Sequence, residues 1–167
     1  MMKLIYIASA ALLATSVYAA VPGKVSTGSE FVKMAGASDK FELESSQMVL
    51  KTTKDAKVRD YAAMMVADHT KTTAEVKAAA KEAGIMPKPP MLNIQQAKMV
   101  AELKKAPAAS RDKIYIAQQV KSHEMALALH QGYSTDGDKA PLKAVAAKAV
   151  PIVTQHLEMV RQMNTAM

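Results

Sequence analysis

Apolar residues recur at intervals of three and four along most of this chain, and the period-two alternation of a half-buried strand is missing. That rhythm predicts helices. After residues 20–29, rich in Pro, Gly, Ser and Thr, Ser29 stands where a helix cap is needed, and a first helix is expected over about 30–52. Phe31, Ala35, Ser38, Glu42, Ser45 and Val49 share one face of it, widened by Phe41 and Met48. Asp55 is placed to cap a second helix over about 56–83, stopped by Gly84. Its stripe is Val58, Tyr61, Ala62, Met65, His69, Thr72, Val76, Ala79 and Ala80. The short turn between the two predicts an antiparallel hairpin.

The prolines of "IMPKPPML" forbid helix and favour an extended connector. A short helix over about 93–105 follows, opened by Asn93 and Gln96 in capping-box spacing, and Pro107 breaks the chain again. A third main helix is expected over about 111–131, with Ile116, Val120, His123, Leu127 and His130 on its apolar face. "GYSTDGD" reads as a turn cluster. The fourth main helix, about 139–165 and capped by Asp138, carries the stripe Leu142, Val145, Ala149, Ile152, His156, Met159 and Met163. Pro141 fits its first turn; Pro151 removes an interior hydrogen bond and predicts a kink. Two antiparallel hairpins joined by a long crossover containing a short helix describe an all-α, ferritin-like four-helix bundle over residues 30–167.

The first residues belong to something else. "MMKLIYIASAALLATSVYAA" has an early Lys, an apolar run and the small-residue pattern Val17-Tyr18-Ala19. It reads as a signal peptide cleaved after Ala19, which places the product in the periplasm or outside the cell. No later segment is apolar enough for a transmembrane anchor in the mature form. Cysteine is absent from the whole chain, which excludes disulfides, thiolate nucleophiles and iron–sulfur clusters and leaves stability to a packed core. Cleavage removes Lys3, so the formal charge of +7 becomes 7 − 1 = +6. The lysines are scattered among acids and no aromatic platform accompanies them, so no nucleic-acid partner is expected; a solvated basic surface is the better reading, with weak association with an anionic envelope surface as the alternative. No protein partner is legible.

The histidines carry the candidate chemistry. All four fall on apolar stripes, and chance would put His69, His123 and His156 there together in roughly one case in twelve. A buried imidazole needs a partner for each nitrogen. Three of them from three helices, with Glu42 from the fourth, make a donor set for zinc, copper, iron or nickel. Asp68, Glu124, Asp112 and Tyr115 are candidates for its second shell or rim. A ferroxidase-type di-iron centre is not expected, because the residues three before each histidine are Val66, Val120 and Val153. Depth is the open question. Glu42 and His69 differ by about 6 Å along the bundle, and His123 and His156 by about 13 Å unless "GYSTDGD" climbs. Met65, Met159 and Met163 could add thioethers, a soft set suited to Cu(I), or could simply fill the core. No phosphate loop, nucleophile elbow, HExxH helix or catalytic triad is present.

"FELESSQMVLKT", "AKVRDYAAMMVADHTKTTAEVKAAAKEAGI", "RDKIYIAQQVKSHEMALAL" and "LKAVAAKAVPIVTQHLEMV" resemble the bacterial exported family called domain of unknown function 4142, over roughly residues 30–163. The Met-Val-x-Asp-His and Pro-x-x-x-x-His segments are its most specific parts. The resemblance implies a ferritin-like bundle in which Glu42, Asp68, His69, Asp112, Tyr115, His123 and His156 hold recurrent polar positions. His130 stands where that family more often has an apolar or aromatic residue and is left out of the site. The resemblance implies no activity. Three readings follow: a metal-binding or storage protein of the envelope with a role in stress; a non-enzymatic structural or interaction protein with hydrogen-bonded core histidines; and a redox enzyme acting on peroxide or metal ions.

Overall fold

The computed structural model describes residues 25–166. The expected signal peptide, residues 1–19, and residues 20–24 of the lead-in lie outside the described residues. Five helices follow in order: α1 Gly28–Leu50, α2 Ala56–Glu82, α3 Ile94–Lys105, α4 Ala108–Asp136 and α5 Ala140–Thr165. α1 and α2 pack along their length as one hairpin, and α4 and α5 as the other. α1 lies beside α4 and α2 beside α5, while the crossover helix α3 rests on α1 and α4. This is the four-helix bundle with a long crossover that the pattern predicts. No helix among the described residues is long and apolar enough to cross a membrane.

Several helix ends form for the expected reasons. The Asp55 side chain accepts from the backbone N–H of Lys57 and Val58 at 2.8 and 3.3 Å. Gly84 takes φ 74°, a conformation that favours glycine, so Gly84 N–H reaches Lys81 O and Ile85 N–H reaches Ala80 O to close α2. Asn93 and Gln96 form a reciprocal capping box.

Other ends differ. Thr27, not Ser29, caps α1, accepting from Glu30 N–H, and the helix starts at Gly28. α4 starts at Ala108, three residues earlier than expected, and Arg111 reaches back to the carbonyls of Leu103 and Ala106 at the end of α3. The largest correction is at "GYSTDGD": α4 continues to Asp136. Tyr133 is buried and stacks on Phe31 with ring centroids 4.2 Å apart, and that packing outweighs the turn-like composition. Asp138 does not cap α5. Its Oδ1 instead accepts from Gly28 N–H at 2.7 Å and from the Tyr133 hydroxyl at 3.0 Å, tying the start of the first hairpin to the turn of the second. α5 runs unbroken through Pro151. Ala147, whose carbonyl loses its donor there, is exposed, so the unpaired oxygen can face water.

The core divides into two apolar clusters. One gathers Val49, Val58, Tyr61, Met65, Leu103, Tyr115, Ile116, Leu157 and Val160, with Met159 and Met163 packed against it. The other gathers Phe31, Ala35, Val76, Ala79, Ala80, Tyr133, Leu142 and Ala146. In the sequence of every main helix, buried polar residues fall between the two: Asp39 and Glu42, His69, Ser122 and His123, and His156.

His130 sits toward the second cluster, edge-on to Phe31 at 5.5 Å. Burial holds its pKa down at about 4, with Asp39 opposing and His69 reinforcing that shift. Between pH 6.5 and 4 the unfolded chain takes up a proton that the folded ring refuses. His130 therefore costs stability as pH falls through that window, by up to about 1.4 kcal/mol per pH unit. Urea titrations of His130→Phe are expected to show a shallower acid loss by about that slope. Asp138→Ala, which removes two hydrogen bonds, is expected to lower stability by about 1–2 kcal/mol in the same titration.

Candidate metal centre

His69, His123 and His156 come together at mid-bundle, with one ring nitrogen from each lying within 4.8 Å of the others. Ring centroids are 5.9 Å apart for His69–His123, 5.8 Å for His69–His156 and 5.5 Å for His123–His156. The extension of α4 makes this possible. His123 stands 136 − 123 = 13 residues before the end of α4, and His156 stands 156 − 140 = 16 residues after the start of α5. A three-residue offset is only about 4.5 Å of rise.

Each ring has one nitrogen engaged. His69 Nδ1 meets Asp39 Oδ1 at 2.8 Å, His123 Nδ1 meets the Gln119 carbonyl at 3.0 Å, and His156 Nε2 meets Asp68 Oδ2 at 2.9 Å. A carbonyl or carboxylate only accepts, so these nitrogens donate and the proton of each neutral ring is assigned by its partner. The remaining atoms, His69 Nε2, His123 Nε2 and His156 Nδ1, are buried lone-pair nitrogens with no hydrogen-bond partner. Three unpaired acceptors in a dry interior are costly unless something positive meets them. An imidazole anchored at its far nitrogen by an oxygen is also the usual arrangement of a metal-binding histidine. The residues present therefore fit a transition-metal ion.

The surroundings split the three rings electrostatically. Burial opposes charge on His69, but the hydrogen bond it donates to Asp39, with the fields of Glu42, Asp39 and Asp68, outweighs it and raises the pKa. Burial lowers that of His123, with Glu42 opposing. Burial also lowers that of His156, to about 4, against the hydrogen bond it donates to Asp68.

Glu42 adjoins the cluster without entering it. Its Oε1 lies 3.8 Å from His123 Nδ1, the nitrogen that meets the Gln119 carbonyl, and accepts the Ser122 hydroxyl. Its Oε2 is buried with no partner. Asp68 supports His156 directly. Glu124 instead pairs with Arg161 at 2.7 Å on the surface. Asp112 accepts from Thr53 at 2.7 Å near the first hairpin turn, and the Tyr115 hydroxyl meets Ser46 at 2.8 Å. Burial, helped by Glu42, raises the pKa of both Tyr61 and Tyr115, so they stay phenols.

The residue that sequence reasoning passed over is Asp39. It is buried and also accepts from Thr72 and Thr73, at 3.1 and 2.8 Å. The signal was present: Asp39 follows Ala35 by four and precedes Glu42 by three, so it lies on the stripe that Ser38 was given. Gln119 and Ser122, which hold His123 and Glu42, were passed over too.

Residues 14–163 match the family described as domain of unknown function (DUF4142). No curated protein matches the chain. Among solved structures, a DUF305 fragment from Deinococcus radiodurans superposes with a TM-score of 0.71 at 16% identity, covering 84% of this chain and 96% of that one. CopM in its Cu(II)-bound form gives the same TM-score of 0.71 at 15% identity, covering 84% of this chain and 97% of that one. At these identities the likeness establishes a shared helical-bundle fold. The match over most of its length makes this chain a member of the DUF4142 family.

Proposed function

We propose that this protein is exported and holds one transition-metal ion on His69, His123 and His156, as a binding or storage protein rather than a catalyst. One observation carries the reading: three buried imidazoles bring one nitrogen each within 4.8 Å of the others, and every ring has one nitrogen anchored by an oxygen and one without a partner. Three neutral nitrogen donors suit zinc or copper, with a fourth position left for water or another group. That Cu(II)-bound CopM has the same fold favours copper. Export is supported by the charged, apolar and small-residue regions of residues 1–19.

The purified protein is expected to take up one Cu(II) or Zn(II) ion per chain. At a free-metal concentration about 100 times Kd, binding adds about 2.7 kcal/mol of stability, or roughly 5–10 °C in Tm. Asp39→Asn or Asp68→Asn, which loosen a ligand without removing it, are expected to weaken uptake roughly 10–100-fold, and each single His→Ala by more. Because a proton competes for the ligating nitrogen and His69 has a raised pKa, affinity is expected to be lower at pH 5.5 than at pH 8. Metal analysis and thermal melts check all three points. Uptake that survives replacement of all three histidines would contradict the proposal.

A further inference from the structure

The polar layer is lopsided in charge. Glu42 is 1% exposed and Asp39 6%, yet the buried polar residues described include no lysine or arginine. Asp39 is well supplied with donors, from His69, Thr72 and Thr73. Glu42 is not: Ser122 serves one oxygen and nothing serves the other. A carboxylate this deep is expensive unless positive charge lies close by. Imidazoles are neutral ligands and leave a bound ion its full charge. In a medium of low dielectric constant, each carboxylate attracts a divalent ion twice as strongly as a monovalent one at the same place. Asp68 faces solvent with 39% of its side chain, so its field is screened and discriminates less.

Resting on the metal reading above, we infer that Glu42 is a specificity-determining residue: without ligating, its buried charge makes the trihistidine site select a divalent ion over a monovalent one, Cu(II) over Cu(I). The two carboxylates Glu42 and Asp39 match the charge of one divalent ion, whereas a cuprous ion leaves a buried negative charge uncompensated. The methionines that would favour Cu(I) are engaged in apolar packing: Met65 is in the cluster with Val49 and Leu103, and Met159 and Met163 pack against it.

The test is the reduction potential of copper bound to the full mature protein, with Cu(I) and Cu(II) affinities measured separately by competition. Wild-type protein is expected to bind Cu(II) more tightly than Cu(I), placing the bound couple below the free aqueous one. Glu42→Gln keeps the size of the side chain and removes its charge. It is expected to weaken Cu(II) relative to Cu(I) at least tenfold, raising the potential by about 59 mV per tenfold. Glu124→Gln, at the exposed ion pair with Arg161, is expected to leave the ratio unchanged. A wild-type preference for Cu(I) overturns the inference even if the Glu42 variant fails to fold. A ratio in Glu42→Gln within twofold of wild type overturns it while leaving metal binding intact. Wild-type protein that takes up no ion through its histidines overturns both.

Discussion

A buried imidazole has two nitrogens to satisfy, and a bundle interior offers few partners. Here three such rings come together, and the fold provides each with one partner: Asp39 on α1, the Gln119 carbonyl on α4, Asp68 on α2. The rings are thereby anchored, and the other nitrogen of each is left without a partner. The rest of the architecture serves that layer. By sequence position it falls between two apolar clusters along every main helix, so the hydrophobic effect that assembles the bundle also buries the imidazoles. Continuing α4 to Asp136 brings His123 to the depth of His156.

Much of this was legible in the sequence. Both hairpins, the crossover, the Asp55 cap, the Gly84 stop and the Asn93 capping box rest on local chemistry that a single chain displays. So does the inward placement of the three histidines, since a polar residue on an apolar stripe is visible by counting. What escaped depended on tertiary contact. Residues 132–138 have turn composition, and the burial of Tyr133 against Phe31, which favours the continued helix, is a contact between distant segments. Asp138 looked like a cap because nothing in sequence shows Gly28 arriving beside it. Asp39 and Glu42 lie on one stripe, and choosing which carboxylate meets His69 needs the register of α1 against α2. Asp39 is 50 − 39 = 11 residues from the end of α1, and His69 is 69 − 56 = 13 from the start of α2, so those two are level. Glu42, nearer the turn, is left beside His123.

Family membership and fold likeness bear on different links of the argument. The match over residues 14–163 places the chain in a family without an assigned activity. The bundles it superposes on establish architecture at 15–16% identity. The chemistry comes from the residues themselves: neutral donors oriented by oxygens, buried carboxylates without buried cations, and methionines gathered in an apolar cluster. Together these support the proposed divalent-ion site. Nothing in the described residues resembles the carboxylate-rich pair of a di-iron centre; Val66, Val120 and Val153 occupy the positions such a centre would need.

X-ray absorption at the metal edge of zinc-loaded mature protein tests the central claim most directly, because it counts and identifies ligands without relying on variants. The account predicts three imidazole nitrogens at about 2.0–2.1 Å, completed by one light-atom ligand. A shell of oxygens without the imidazole scattering pattern, or one containing sulfur, would contradict it.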